Sequence, residues 1–266
     1  MSVRAEEMSP SQFVAARDSA PIAYVPLGTL EWHEKHLPLG NDALKAHGLC
    51  CRIAERTGGV VLPPLYWGVD RWLERDGRPL RGKDWNAGFP LPGSMYQLGD
   101  ALFRQLMEKI LREVLAQGFE LVVVMSGHNA RNQEAIIREV AAAFNQQAGC
   151  ERVWAISEYE PAQELFGFAR DHAGKWETSL MMELRPELVD MGRLEPDRSQ
   201  PLLATSGVDP RGEATAALGR RCVEATVERA CAKIAELRAH LPPRAERGPS
   251  ILEAPEGWVD PQRRSS

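Results

Sequence analysis

The sequence predicts an α/β protein with a mostly parallel central sheet that helices cover on both faces. Three observations predict this fold class: short, continuously apolar segments, amphipathic segments between them, and a regular alternation of the two. A strand buried on both faces is apolar at successive positions, and a helical crossover between two such strands keeps them parallel. With 44% hydrophobic and 26% charged residues, the composition is that of a packed globular domain.

Four apolar segments are the candidate strands. Residues 21–27 form the first, and the chain turns at Gly28 directly after it. Residues 60–65 form a second, which Pro63 and Pro64 interrupt. Residues 121–125 are the most uniformly apolar segment of the chain, and residues 152–157 form the last strand.

The segments between the strands have helical periodicity. Leu44, Leu49 and Ile53 lie on one face of a helix over residues 42–57, which glycines follow. A longer amphipathic helix is predicted over residues 97–117, and another over residues 132–147. An apolar helix follows Glu177.

The organisation predicted is a single domain over residues 1–240 and a C-terminal tail over residues 241–266, which is rich in Pro, Arg and Glu. Residues 66–96 interrupt the alternation, because they show little periodicity and contain Trp67, Trp72 and Trp85. An irregular segment of this length inside a compact domain is typical of a functional lid or an interface.

Charge and composition exclude several functions. The 32 basic and 37 acidic residues give a net charge of -5, whereas a general nucleic-acid binder normally carries a basic excess. No apolar run is long enough to suggest a membrane span. The N-terminal residues are acidic and lack the apolar stretch of a signal peptide, and the five cysteines show no disulfide pattern. We therefore expect a cytoplasmic protein that binds neither nucleic acid nor membrane.

The first candidate site segment follows the first strand. Glu31 and His33 are two residues apart, so both point the same way from extended backbone, and Asp42 opens the next helix. Ligands of open α/β sheets bind beyond the carboxyl ends of the strands, where this segment lies. Imidazole and carboxylate together suit zinc, manganese or iron. Each residue alone has a simpler explanation, such as a salt bridge or, for Asp42, a helix cap.

Two further segments bring polar groups to the same sheet edge. His128 follows Gly127 at the end of the strand over residues 121–125. His172 and Glu177 come before and at the start of the apolar helix, where Glu177 alone would complement the helix dipole. The three segments together contain four of the six histidines of the chain, namely His33, His36, His128 and His172.

The three segments together resemble the creatininase (creatinine amidohydrolase) family. They read EWHEKHLPLGND from Glu31, GHN from Gly127 and HAGKWETS from His172, in the order of that family. The resemblance covers roughly residues 21–188. It implies a three-layer α/β/α sandwich with a binuclear metal centre that hydrolyses amide-type bonds, in a protein that often forms homo-oligomers.

The resemblance also implies the ligands. Glu31 and His128 would hold one divalent metal ion, His33 the other, and Asp42 would bridge both. Creatininase has a second-metal carboxylate at the position of Ala130, so we assign that role to Glu177. Glu34 and Asn41 also depart from the family pattern, which commonly has Gly and Thr there.

The function expected is hydrolysis of a small cyclic amide or a related C–N substrate by a water that two metal ions activate, zinc being favoured over manganese or iron. The catalytic residues expected are His172, as proton carrier or oxyanion partner, and Glu177. His36 would orient a ligand, and Trp176 with one or more of Trp67, Trp72 and Trp85 would line the pocket. Two alternatives are a C–C hydrolase that opens a cyclic, inositol-derived diketone and a catalytically inactive binding subunit.

Overall fold

The computed structural model describes residues 2–166 and 171–242, so most of the predicted tail, from residue 243 on, lies outside the described residues. The strands are β1 (Ile22–Leu27), β2 (Val60–Val61), β3 (Trp72–Arg75), β4 (Arg78–Arg81), β5 (Leu121–Ser126) and β6 (Val153–Ser157). The α-helices are α1 (Pro10–Ser19), α2 (Asn41–Thr57), α3 (Gly82–Ala87), α4 (Asp100–Ala116), α5 (Arg131–Ala148), α6 (Gln163–Phe166), α7 (Lys175–Leu184) and α8 (Ala216–His240).

The central sheet has the strand order β2-β1-β5-β6, and every neighbouring pair is parallel. Leu27 of β1 pairs with Ser126 of β5, which in turn pairs with Ser157 of β6. The carboxyl ends of β1, β5 and β6 therefore lie side by side at one edge of the sheet. All residues of β1 and β5 are buried, as expected of strands with helices on both faces.

Alternate residues of the strands point into two separate cores. Ile22 and Tyr24 of β1 pack with α2, α7 and α8 on one face of the sheet. Ala23 and Val25 pack on the other face with α4 and α5, and α1 covers the margin of that core. The protein is therefore a three-layer α/β/α sandwich, which confirms the predicted fold class.

Two predictions about residues 60–96 were wrong. The strand expected over residues 60–65 is only Val60–Val61, because Pro63 and Pro64 lack the N–H groups that a strand needs. Residues 66–96 are not irregular throughout, since they contain the antiparallel hairpin β3–β4 and the short helix α3. The hairpin turns at Asp76 and Gly77, which both have positive φ.

The first turn of α2 lies against the carboxyl ends of β1 and β5. A Cβ atom on Gly28 would stand 2.2 Å from the backbone nitrogen of Ala43, and one on Gly127 would stand 2.1 Å from the carbonyl oxygen of Asp42. Gly127 N–H also donates to Leu27 O at 2.8 Å, so the two glycines are neighbours across the sheet. Only residues without a side chain allow this approach, and it fixes where Asp42 stands.

We expect Gly127→Ala to lower the free energy of unfolding by about 1–3 kcal/mol, because the added methyl group displaces the backbone of α2. Urea denaturation measures this loss. Gly99→Ala is the matched control, since a Cβ atom there meets nothing within 4 Å, and we expect a change below about 1 kcal/mol. Equal effects of the two variants would contradict the close approach.

Candidate metal centre

Six side chains that the sequence singled out meet at the carboxyl edge of the sheet, and all of them are buried. Glu31 and His33 come from the segment after β1, and Asp42 from the first turn of α2. The others are His128, after β5, His172, in the loop before α7, and Glu177, in the first turn of α7.

Asp42 occupies the middle of the cluster. Its Oδ1 lies 2.9 Å from His33 Nε2, and its Oδ2 lies 3.1 Å from His128 Nδ1. The N-cap of α2 is Gly40, so Asp42 is not the helix cap that its position in the sequence also allowed. One carboxylate thus offers each of its oxygen atoms to a different imidazole.

The three histidines share one arrangement. Each has one ring nitrogen beside a backbone carbonyl oxygen: His33 Nδ1 at 3.0 Å from Glu31 O, His128 Nε2 at 3.2 Å from Val69 O, and His172 Nε2 at 2.7 Å from Trp32 O. A carbonyl oxygen only accepts, so that nitrogen carries the hydrogen. The other nitrogen of each ring faces the carboxylates, as in histidines that bind metal ions.

The ligand atoms fall into three groups, each within 4.8 Å: Glu31, Asp42 and His128; His33, Asp42 and Glu177; and Glu31, His33 and His172. The buried Nε2 of His33 tests whether a cation fits. Although Asp42 Oδ1 is 2.9 Å away and Glu177 Oε2 is 3.4 Å away, this nitrogen has no hydrogen-bond partner among the described residues. A cation at this place would satisfy the nitrogen together with both carboxylates, and imidazole with carboxylate is a ligand set that zinc takes.

The pKa values of His33 and His172 reflect the groups that are packed around them. Burial lowers the pKa of His33, but Asp42 and Glu177 outweigh burial and raise it to about 9. The pKa of His172 lies well below its usual value because the ring is buried and stands close to His33, with 4.2 Å between ring centroids. The carboxylates around His33 thus favour a positive charge at this ring, which a proton or a metal ion supplies.

A buried lysine that the sequence analysis missed completes one side of the cluster. Lys45 Nζ lies 2.6 Å from Glu177 Oε1 and 2.8 Å from Glu158 Oε1, and its side chain is fully buried. Glu158 directly follows β6, so the rule that placed His128 at a strand end also pointed to Glu158. Lys45 itself lies three residues after Asp42 on α2, where it faces the same side.

The loop before α7 orients Glu177. Ala173 N–H donates to Glu177 Oε2 at 2.8 Å, and Ala173 has φ +50, a conformation that a residue with a side chain rarely adopts. Asp171 accepts from the N–H groups of Trp176 at 2.6 Å and of Glu177 at 3.3 Å. Burial and the neighbouring Glu177 raise the pKa of Asp171 to about 7. Glu177 therefore has Oε1 held by Lys45 and Oε2 turned towards His33.

His36 and Glu34 stand beside the cluster. His36 Nε2 lies 2.8 Å from Thr178 Oγ1, next to Glu177, and His36 belongs to none of the three groups. Glu34 has φ +56, which accounts for the glycine that the family pattern commonly has there. Ala204 N–H donates to Glu34 Oε2 at 3.2 Å and holds the side chain in place.

A cavity of about 370 Å³ opens onto the cluster, which suits a small molecule. Trp85 lines it, as the sequence analysis allowed, but the other three tryptophans do not. The expectation for Trp176 was wrong, because its ring packs on Phe166 at 5.8 Å in the core. Trp67 stacks on a tyrosine, and Trp72 lies under an arginine at the surface.

Comparison with known proteins identifies the family. The family model Creatininase, described as creatinine amidohydrolase, matches residues 6–234. The chain belongs to the creatininase family. It is 31% identical over 214 residues to creatinine amidohydrolase of Pseudomonas putida, covering 74% of this chain and 77% of the relative. It is 26% identical over 188 residues to the mycofactocin precursor peptide peptidase of Mycolicibacterium smegmatis, covering 68% of this chain and 65% of that protein.

Solved creatininase structures match nearly the whole chain. A crystal structure of creatinine amidohydrolase superimposes with a TM-score of 0.67 at 25% identity, covering 91% of this chain and 99% of the other. Related creatininase structures include a mutant of Zn-Zn type, an Mn form and a mutant complexed with creatine. This chain is thus a hydrolase, as predicted, in a family whose structures contain zinc or manganese. No helix within residues 2–166 and 171–242 combines the length and the apolar character needed to cross a membrane.

We expect Lys45→Met to lower the free energy of unfolding by about 3–5 kcal/mol, because it leaves Glu158 and Glu177 buried without their shared cation. Urea denaturation of the purified protein measures the loss. Lys109→Met is the control, since the pair of Lys109 with Glu113 is exposed, and we expect a change of at most about 0.5 kcal/mol. A loss in Lys45→Met as small as that of the control would show that the buried pairs do not stabilise the fold.

Proposed function

We propose that this creatininase-family hydrolase opens a small cyclic amide with the help of two divalent metal ions, zinc being favoured and manganese or iron accepted. The observation that carries the proposal is the shared arrangement of His33, His128 and His172. Each ring is fixed by a carbonyl on one nitrogen and presents the other nitrogen to carboxylate oxygens.

The geometry supports one division of the ligands. Glu31, Asp42 and His128 would hold the first ion, and His33, Asp42 and Glu177 the second, with Asp42 shared. Ala130 cannot supply the carboxylate found at its position in creatininase, and Glu177 stands where one is needed, 3.4 Å from His33 Nε2. When bound, the two ions supply Lewis acidity, which lowers the pKa of water and polarises a carbonyl.

The protein groups orient the reactants and move the proton. Lys45 holds Oε1 of Glu177 and so leaves Oε2 as the oxygen that faces His33. His172 lines the cavity with its Nδ1 unprotonated, because Nε2–H donates to Trp32 O. In this proposal His172 Nδ1 accepts a proton during addition of water and returns it to the leaving nitrogen. Nδ1 also lies 3.9 Å from Glu31 Oε2, so ligation by His172 is the competing role.

The relatives support cleavage of a C–N bond over the two alternatives. A creatinine amidohydrolase and a peptide peptidase are both, by name, enzymes that act on amides. Neither name favours a hydrolase of cyclic diketones. The cluster brings six buried potential ligands together, which an inactive binding subunit has no reason to keep. Measuring ring opening of cyclic amides and of cyclic diketones by the zinc-loaded protein tests the bond assignment, and cleavage of diketones alone would overturn it.

We expect Glu177→Gln to lose one of two metal ions, because the amide is a weaker ligand than the carboxylate. His172→Asn should keep both ions and lose about 10²- to 10⁴-fold in turnover. Metal analysis after dialysis against metal-free buffer, with the hydrolysis assay, measures both. Glu183→Gln, on the same helix but paired with Arg220 at the surface, is the control and should keep full metal content. Loss of an ion from His172→Asn together with two retained ions in Glu177→Gln would reverse the roles.

We also propose that the chain acts in the cytoplasm and forms a homo-oligomer through the surface of residues 66–96. Trp67, Phe89, Met95 and Tyr96 of that segment are all more than two-fifths exposed, and Trp67 and Tyr96 stack at 4.3 Å. Aromatic residues and methionine are enriched at subunit interfaces. Light scattering should give a mass above that of the 29.6 kDa chain, and a monomer at every concentration would contradict this proposal.

A further inference from the structure

Three cationic side chains line the cavity above the candidate metal centre. Arg71, Lys83 and Arg131 border the same 370 Å³ space as Glu31 and His128. Arg71 and Arg131 are exposed, and Lys83 is half-buried. We call these three residues the cationic rim.

The first two rim residues are held against the centre by their neighbours in the chain. Asp70, next to Arg71, has its Oδ2 3.8 Å from His128 Nε2. A Cβ atom on Gly82, next to Lys83, would stand 2.1 Å from Asp70 Oδ2 and 3.3 Å from Glu31 Oε1. The hairpin β3–β4 therefore lies directly against the cluster.

Arg131 comes from a different element. It is the first residue of α5 and lies three positions after His128. Ala130, the N-cap of α5, also lines the cavity, so the positive end of this helix borders the same mouth. The rim thus draws its charges from two separate parts of the fold.

The rim cations have no counter-ion among the described residues. Within residues 2–166 and 171–242, no carboxylate oxygen lies within 4.0 Å of their charged nitrogens, although Arg138 and Arg211 do have such partners. Lys83 Nζ donates to the neutral Ser206 Oγ at 2.8 Å. These charges are therefore available to a ligand.

Five acids line the cavity, and each lies beside a partner other than the rim; Asp70, for example, has its Oδ2 3.8 Å from His128 Nε2. Glu31 and Asp42 contact His128 at 3.3 and 3.1 Å, and Glu177 contacts Lys45. Asp171 accepts from Tyr159 and from backbone N–H groups. The acids at the floor thus have partners inside the cluster, whereas the three rim cations have no acidic partner within residues 2–166 and 171–242.

We infer that the substrate carries a negatively charged group, a carboxylate or a phosphate, which the cationic rim binds while the amide faces the candidate ligands. The inference rests on the proposed function and names its substrate class. Guanidinium groups bind both anions through paired N–H donors, and the ammonium of Lys83 adds a third charge. Trp85 lines the same cavity and is fixed by a hydrogen bond from its Nε1 to Glu74 O at 3.1 Å, so it offers a steady apolar wall to the ring.

The test compares two ligands that share a ring and differ in charge, pyroglutamate and pyroglutamamide. Calorimetric titration of the zinc-loaded protein should show tighter binding of pyroglutamate. Arg71→Gln, Lys83→Gln and Arg131→Gln should each weaken pyroglutamate binding on the order of tenfold and leave pyroglutamamide binding little changed. Arg78→Gln, an exposed arginine of the same hairpin that does not line the cavity, is the control and should keep the affinity for both ligands.

Competition experiments identify the anion. Acetate and inorganic phosphate are added at equal concentration, and the one that weakens pyroglutamate binding more is the group that the rim selects. If neither anion competes, the result counts against the inference. Equal affinity for the two ligands would overturn it. So would a preference for pyroglutamate that persists when all three rim residues are replaced, because the metal ions would then hold the carboxylate. Binding is read without turnover, so failure of the proposed function appears separately, as absence of hydrolysis of any cyclic amide.

Discussion

The close approach of α2 to the ends of β1 and β5 is the constraint on which the rest of the site depends. A side chain at position 28 or 127 would collide with the backbone of the first turn of this helix, so both positions are glycine. The close approach places Asp42 between His33 and His128. Every other candidate ligand follows a strand or lies in the first turn of a helix at the same edge. A local steric requirement thus determines the position of the one carboxylate that both candidate ions would share.

Burial of so many charges is possible only because each acid has a partner. Asp42 faces two imidazoles, Glu177 and Glu158 share Lys45, and Asp171 accepts hydrogen bonds from Tyr159 and from the start of α7. Unpaired buried charges would cost far more than the fold can offset. Within residues 2–166 and 171–242 the cations of the rim have no such acidic partner, and this difference is the basis of the proposed anionic substrate.

The sequence predicted the layers and the site segments because both follow from short-range patterns. Apolar runs located β1 and β5, and three motifs located the polar side chains at one edge. The hairpin β3–β4 was missed, since Leu80 is the one buried residue of Trp72–Arg75 and Arg78–Arg81, and these short segments carry no clear apolar alternation. Helix α1 was also missed, although Ser9 and Gln12 form a capping box before it that the sequence displays. The role of Lys45 depends on Glu158, more than a hundred residues away, and no local pattern reports such a pair.

The central claim is that two metal ions share Asp42, and anomalous diffraction from zinc-soaked crystals tests it most directly. Difference maps on either side of the zinc edge locate zinc without reference to any assumed ligand. The account predicts two peaks per chain, one among Glu31, Asp42 and His128 and the other among His33, Asp42 and Glu177. A single peak, or a second peak bound by His172 in place of Glu177, would contradict it.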